Sequence, residues 1–252
     1  MQKTNNNYKT YKAISSGQAK LLQATEQFPV FSLSLLQKKT GWKRTTISNL
    51  LHALKKKNII TAVRKNKYVV NETIPENLFL IATQVVSPSY LSFWTAASYY
   101  GWTEQQVSAL QLVSPKQFPS LKLQNHTIET ITLLPAKFFG YLRIGNFPIA
   151  EKEKLIIEML YKPELCGGMN EVKKCFQYAW NQINEERLYK YLLRFNNKSC
   201  CARLGYLLEE LQLRNNLEKK LLRCLPRGYV KLHPRKKNTG KYNKKWGVVI
   251  ND

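Results

Sequence analysis

The stretch from residue 30 to residue 70 constrains the fold most, because two short helices, a glycine turn and a basic hairpin follow one another directly. Ser32 is a favourable helix N-cap, the leucines after it predict a helix to about Lys39, and Gly41 supplies a turn. A second helix follows at once. Its apolar residues recur at i, i+3, i+4 and i+7 and define one buried stripe: Ile47, Leu50, Leu51 and Leu54.

The residues opposite that stripe are short and polar or basic, which suits contacts to base edges and phosphates from a helix in a major groove. They are Arg44, Thr45, Thr46, Ser48 and Asn49. Two β-branched runs at 59–63 and 67–70 then predict a hairpin. We expect Arg64, Lys65 and Lys67 near its tip to contact phosphates, which positions a protein more than it selects a sequence.

This order of elements predicts an N-terminal winged helix-turn-helix that binds double-stranded DNA. A second interpretation stays open. The second helix ends in Lys55, Lys56 and Lys57, where cations complement the helix dipole, and an amphipathic helix of this kind is also typical of an ordinary solvated surface. The oligomeric state is open as well, with a dimer on DNA as one option.

Positive charge lies at the two ends of the chain. Residues 1–74 hold 14 Lys and Arg against 2 Glu, and residues 219–245 hold 11 against none, whereas the residues between them are close to neutral. Such a distribution predicts contacts with polyanions at two places.

The basic C-terminal segment is therefore a candidate second charged surface. Its members are Lys231, Arg235, Lys236, Lys237, Lys241, Lys244 and Lys245. A solvated, partly disordered tail is the alternative. Tyr229, Tyr242 and Trp246 lie among the cations and favour an ordered segment. Whether this surface would contact DNA or a partner protein stays open.

The 252 residues allow two or three small domains, and we predict an α+β chain in three parts. A winged helix-turn-helix at 1–74 precedes a mixed α/β middle region at 75–150, and a mainly helical C-terminal region with a basic end fills 151–252. Apolar spacing predicts strands at 107–113, 128–134 and 140–147, and helices at 153–161, 172–183, 186–195 and 201–211. An aromatic group in the middle region is expected in a core: Tyr90, Phe93, Trp94, Tyr99, Tyr100 and Trp102.

Carboxylate chemistry argues against an enzyme. Asp occurs once in the chain, as Asp252, whereas enzymes that hold divalent ions need clustered carboxylates. The Glu residues fall mainly at helical surface spacings, as Glu151 and Glu153 do. The three His are far apart, and the chain has no GxxxxGK[ST], GxGxxG or GxSxG motif. We expect no enzymatic activity, no cofactor and no metal.

The sequence indicates a cytoplasmic protein without membrane contact. No apolar run approaches the roughly 20 residues of a membrane span. The polar start of the chain also lacks the apolar core of a signal peptide. The five Cys include no CxxC pair, and we expect reduced thiols packed in a core.

The segment VVSPSYLSFWTAASYYGWTEQ is the first of three separated motifs that resemble the AbiEi family of type IV antitoxins. It is similar to the part of the family that follows its N-terminal winged helix. AEKEKLIIEMLYKPELCGGMNEV and ARLGYLLEEL resemble two later motifs. The matching residues are Pro88, Ser89, Tyr90, Trp94, Ala97, Tyr100, Gly101, Thr103, Glu104, Glu153, Lys154, Pro163, Gly167, Gly168 and the run Arg203–Leu208. Near the end, Leu232, Pro234, Gly240, Trp246 and Asn251 also fit. Glu158 stands where an Asp is common in the family.

The resemblance runs from about residue 17 onward and implies a protein in two functional parts. Family members pair an N-terminal winged helix that represses their own operon with a C-terminal region that counteracts an AbiEii-type nucleotidyltransferase toxin. The resemblance therefore implies two partners, the operator DNA and such a toxin. The scarcity of Asp agrees with this chain being the antitoxin and not the transferase.

The sequence is also compatible with two other functions. A winged-helix transcriptional regulator without a toxin partner would show the same N-terminal pattern, and the neighbouring gene discriminates between the two. An enzyme acting on RNA is disfavoured by the scarcity of Asp and His, and loss of an activity on chelation would revive it.

Overall fold

The structure, a computed structural model, describes residues 14–105 and 109–251 and has the α+β class that the sequence predicts. Its contacts group into two compact units, Met1–Ser87 and Pro88–Asp252. The sequence-based boundaries at residues 74 and 150 differ from this grouping, since the helix after residue 74 belongs with the first unit. No helix in the described ranges combines the length and apolar content needed to cross a bilayer.

The first unit contains helices and one β-hairpin packed around a single apolar core. In chain order it contains α1 Ser16–Gln23, α2 Leu33–Thr40, α3 Arg44–Lys56, β1 Ile60–Arg64, β2 Lys67–Val70 and α4 Ile74–Val85. Leu36, Ile47 and Leu54 are fully buried at the centre, and Leu51 lies beside them. The predicted stripe of α3 is confirmed, with Leu50 at its half-buried edge.

The two ends of α2 are fixed by neighbouring residues, and a short connection leads from α2 to α3. The Ser32 side chain accepts a hydrogen bond from the Leu35 N–H at 3.1 Å and caps α2, as predicted. Gly41 ends α2 with φ +71°, a left-handed conformation that favours glycine. Only residues 41–43 separate the two helices, and half-buried Trp42 packs on the core between them.

The hairpin pairs β1 with β2 in an antiparallel ladder that runs from Ile60 opposite Val70 to Arg64 opposite Lys67. Lys65 and Asn66 form its turn, and Asn66 has φ +58°. The Asn66 side chain accepts a hydrogen bond from the Leu33 N–H at 3.2 Å. This bond fixes the hairpin turn against the start of α2.

The second unit is built on a six-stranded mixed sheet. Its strands are β3 Tyr90–Leu91, β4 Ala109–Ser114, β5 Leu121–Leu123, β6 His126–Thr132, β7 Tyr141–Ile144 and β8 Phe147–Ala150, in the order β5-β6-β4-β3-β8-β7. β3 pairs in parallel with β8, and β4 with β6; the other neighbours are antiparallel. The single strand predicted at 140–147 is wrong, because Gly145 turns the chain there and β7 and β8 form a hairpin.

The helices of this unit surround one buried helix, α6. They are α5 Phe93–Tyr99, α6 Lys152–Tyr161, α7 Met169–Ala179, α8 Glu185–Phe195, α9 Lys198–Glu210 and α10 Glu218–Leu222. α6 packs against α5, α7, α8 and α9. Its residues 153–160 are all buried, Glu153 and Glu158 included. The surface position predicted for Glu153 is therefore wrong.

A second sheet of three short strands lies near the end of the chain. It is formed by β9 Val230–Lys231, β10 Lys241–Asn243 and β11 Val248–Ile250, with β11 in the centre. β9 is parallel to β11 although 16 residues separate the two, and β10 is antiparallel to β11. The sequence did not predict these strands, because strands of two or three residues give no period-2 signal.

Other sequence-based expectations are confirmed for some residues and wrong for others. Tyr90, Phe93 and Trp102 are buried as predicted, whereas Tyr99 is exposed. Four of the five Cys are buried, and Cys224 is half-buried. The strand predicted at 107–113 starts at Ala109 in the described part, and residues 107 and 108 lie outside the described residues.

Candidate nucleic-acid interface

The face of α3 opposite its apolar stripe is open to solvent. The five residues predicted to contact DNA there, Arg44, Thr45, Thr46, Ser48 and Asn49, are all exposed, and so is His52 one turn further on. The stripe itself is buried in the core of the unit. The helix therefore presents one continuous row of hydrogen-bonding side chains, with a cation at its first residue.

The start of α3 adds backbone donors to that face. The N-cap residue Lys43 makes no side-chain capping bond, and the first turn contains no acidic residue. The first N–H groups of a helix lack partners within the helix, and the helix dipole makes this end attractive to anions. Exposed Lys43 and Arg44 add two positive charges at the same end. This end of α3 is suited to a phosphate group.

The hairpin turn carries the three predicted phosphate contacts in different environments. Lys65 is exposed at the turn, whereas Arg64 and Lys67 are half-buried. The Lys67 Nζ donates a hydrogen bond to the Gln84 carbonyl oxygen of α4 at 2.7 Å. Burial lowers the pKa of Lys67, and the charge of Arg64 lowers it further. Lys65 is thus the hairpin cation that is most accessible to a ligand.

The predicted second basic surface lies on and around the three-stranded sheet of the second unit. Two of its cations are held by carboxylates: Arg235 Nε lies 3.5 Å from Glu164 Oε1, and Lys245 pairs with Glu209 and Glu218. The bond to Glu209 raises the pKa of Lys245. Lys231 Nζ donates to the Lys236 carbonyl oxygen at 2.7 Å. The remaining members, Lys236, Lys237, Lys241 and Lys244, are exposed.

A cavity of about 280 Å³ lies between this segment and the start of α7. It is lined by Gly167, Gly168, His233, Arg235, Lys236 and neighbouring residues. His233 is buried, and its Nδ1 accepts a hydrogen bond from the Met169 N–H at 3.4 Å. The His233 ring therefore caps the start of α7 and closes one side of the cavity.

A buried polar cluster in the second unit was missed by sequence reasoning. The Glu158 carboxylate pairs with the Lys154 ammonium one turn earlier in α6 and accepts hydrogen bonds from the hydroxyls of Tyr90 and Ser92. All four side chains are buried. Burial lowers the pKa of Lys154, and the Glu158 charge opposes that shift. Burial also raises the pKa of Tyr90, and Glu158 raises it further.

The i,i+4 spacing of Lys154 and Glu158 was the only local signal for that cluster, and it is shared by many exposed helix pairs. The cluster has every charge paired and joins α6 to β3. In the described residues, no three His, Cys, Asp or Glu side chains are placed to hold a metal ion together.

Comparison with known proteins gives a likeness of fold. No protein-family model and no curated protein matches the chain. Among solved structures, the chain is similar to the crystal structure of the RV2827C protein from Mycobacterium tuberculosis, with a TM-score of 0.68 and 14% sequence identity. The match covers 94% of this chain and 92% of that chain. At this identity the likeness shows a shared fold.

Proposed function

We propose that this chain is the antitoxin of a type IV, AbiE-like toxin-antitoxin system and acts in the cytoplasm. In this proposal the first unit is a winged helix-turn-helix that binds the operator of its own operon and represses it. The second unit counteracts an AbiEii-type nucleotidyltransferase toxin. The proposal assigns the chain no enzymatic activity and no cofactor.

The observation that carries the DNA-binding half is the exposed face of α3. A helix that lies in a major groove needs exposed hydrogen-bonding side chains near its N-terminus and a firmly packed opposite face. Arg44 and Asn49 meet the first requirement, and the buried stripe meets the second. Arginine reads guanine and asparagine reads adenine through paired hydrogen bonds.

The neighbouring elements support the same function. Residues 41–43 form a turn of the length found between the two helices of DNA-binding helix-turn-helix motifs. The hairpin follows α3 directly, and exposed Lys65 lies at its turn. A cation at this place would contact the phosphate backbone beside the groove that α3 enters.

The antitoxin half rests on the family resemblance, and several of the residues that carry the resemblance lie together in the second unit. Residues from separate motifs contact one another within the second unit. Tyr90 of the first motif donates to Glu158 in the second, and Gly205 of the third motif lies against Trp246 near the end of the chain. The motifs that carry the resemblance are therefore parts of the second unit, to which the proposal assigns the action on the toxin.

A growth assay tests both halves. The chain would be co-expressed with the nucleotidyltransferase encoded beside its gene, once intact and once with Arg44→Ala and Asn49→Ala together. Both substituted residues are exposed, so the core of the first unit is kept. We expect both forms to restore growth and only the intact form to shift operator DNA in a gel.

Failure of both forms to restore growth would contradict the antitoxin assignment. If the intact form still bound its operator, a winged-helix regulator without a toxin partner would be the better account. Equal operator binding by the two forms would contradict the role given to α3.

A further inference from the structure

Two exposed tyrosines lie together on the three-stranded sheet of the second unit. Tyr229 and Tyr242 are 49% and 55% exposed. Their rings meet edge to face, with centroids 4.9 Å apart and planes at 85°. Two tyrosines that contact each other at the surface leave ring faces open to a flat ligand.

The strand register places a cation on the same face as this pair. Tyr242 lies opposite Val249, and Val249 lies opposite Lys231 on the next strand. Residues directly opposite each other in a sheet project from the same face. Tyr229 comes just before β9, and its ring contact with Tyr242 places it on the side of the sheet that Tyr242 occupies. An aromatic pair and a lysine therefore lie side by side across the sheet.

The charge around the pair is positive and largely unbalanced. Of the 11 basic residues at 219–245, Arg235 and Lys245 form ion pairs with carboxylates within the described part of the chain. Lys244, two residues after Tyr242, is exposed. Lys241 is also exposed, but as the strand neighbour of Tyr242 it projects from the opposite face of the sheet. A surface of this kind attracts a polyanion.

The two tyrosines indicate which class of polyanion this surface would bind. In duplex DNA the base faces are stacked on one another and are closed to side chains from outside, and base edges are read in the grooves. A single strand offers each base face for stacking, and base-aromatic stacking beside a cationic track is the usual mode of single-strand binding. Exposed rings among lysines therefore fit a single strand better than a duplex.

We propose that this surface, defined as Tyr229, Tyr242, Lys231 and Lys244, binds single-stranded nucleic acid. Bases stack on the open faces of the two rings, and the lysine ammonium groups contact the phosphates. The site lies in the second unit and does not depend on α3 or on the proposed function. It gives the basic C-terminal segment a ligand class that is different from the duplex operator.

Fluorescence anisotropy with the full-length chain tests the proposal. The probes are labelled oligothymidylate and oligouridylate of about 15 nucleotides and a duplex of equal length. This length is near the largest number of nucleotides that one single-strand-binding fold covers. We expect Tyr229→Ala and Tyr242→Ala each to weaken single-strand binding about tenfold or more, in line with the contribution of one stacked base. Duplex binding should stay within about twofold, because a duplex offers no free base faces on which the two rings could stack.

Two matched controls separate stacking from other effects. Tyr229→Phe and Tyr242→Phe keep the ring and should keep the affinity. Tyr178→Ala removes a tyrosine that is 58% exposed on α7 and should change nothing. Equal losses for the single strand and the duplex, or no loss in the alanine variants, would overturn the proposal. Separate titrations with the two oligonucleotides distinguish RNA from DNA.

A second measurement uses the unsubstituted protein, so it does not depend on how well the variants fold. Oligonucleotides that contain 5-iodouridine would be photo-crosslinked to the chain, and the modified peptide would be identified by mass spectrometry. We expect crosslinks at Tyr229 or Tyr242. Crosslinks confined to residues outside 227–245 would contradict the assignment, as would a surface that binds an acidic peptide and no oligonucleotide.

Discussion

Gly205 of α9 lies directly against the indole ring of Trp246, so close that a Cβ atom at residue 205 would come within 2.1 Å of Trp246 Cε3. The same indole donates a hydrogen bond from Nε1 to Glu209 Oε2 at 3.0 Å, one turn along α9. Glycine at 205 therefore allows the end of the chain to pack on α9.

Gly205→Ala is expected to destabilise the chain by about 3 kcal/mol, the upper end of the range for overpacking a core. The buried ring of Trp246 cannot move away without breaking its bond to Glu209. Urea unfolding of the full chain measures the change. Gly228→Ala is the control, since no heavy atom lies within 4 Å of its Cβ position. A change of similar size in both variants would contradict the role of Trp246.

Breaking the buried ion pair of α6 should be costly, and removing the whole pair should cost less. Glu158→Gln leaves the Lys154 ammonium buried without an opposite charge, and we expect a loss of about 3–5 kcal/mol. Combining Lys154→Met with Glu158→Leu removes both charges and should be less destabilising than the two single changes summed. A double-mutant cycle by urea unfolding gives the coupling energy. Additive effects would show that the two charges act independently.

Stability should fall in alkaline solution because of a buried thiol. Burial raises the pKa of Cys200 from 9.0 to about 12. The folded chain keeps this proton above pH 9, whereas the unfolded chain loses it. The stability contribution is therefore complete below about pH 9 and is lost as the pH rises towards 12, by about 1.4 kcal/mol per pH unit for one proton.

The free energy of unfolding, measured under reducing conditions at about pH 9 and about pH 10.5, tests this effect. Both pH values lie between the ordinary and the raised pKa of the Cys200 thiol. Cys200→Ala should reduce the slope by about one proton, and a slope should remain because burial also raises the pKa values of Cys166, Cys175 and Cys201. Leu204→Ala is the matched control, because it also truncates a buried side chain of α9 but carries no proton in this range. If the two variants show the same slope, the Cys200 thiol does not cause the pH dependence.

The α3 and hairpin residues should affect DNA binding in different ways. Lys65→Ala should weaken binding to all duplexes about equally and lower the salt dependence by about one charge. Asn49→Ala should cost about 1–3 kcal/mol on the preferred operator and little elsewhere. Titrations of operator and unrelated duplex at two salt concentrations separate the two effects. If both variants behave alike, Asn49 does not contact bases.

Local sequence signals were sufficient for much of the first unit. The Ser32 cap, the left-handed Gly41 and the apolar stripe that includes Ile47 and Leu51 each act within a few residues, so α2, the turn and α3 were predicted closely. The exposed face of α3 follows from the same periodicity. The bond from Lys67 to the Gln84 carbonyl oxygen was not predicted, because it joins residues 17 positions apart.

Long-range pairing explains what the sequence did not reveal in the second unit. Glu158 is buried because its partners Tyr90 and Ser92 come from a strand and turn 68 and 66 residues earlier. The strands β9 and β11 pair although 16 residues, including β10, lie between them, and neither strand has a sequence pattern of its own. The tyrosine surface depends on that pairing, so it could not be recognised from the spacing of Tyr229 and Tyr242.

The guanidinium of Arg203 in α9 donates to the carbonyl oxygen of Leu160 in α6 and to that of Lys231 in β9. One buried side chain thus joins the central helix of the unit to the edge of its small sheet. We expect the two to open together: in native-state hydrogen exchange, protected amides of β11 and of α6 should share one opening free energy. The short strands near the end of the chain would then open only when the whole unit unfolds, and they would not fray independently.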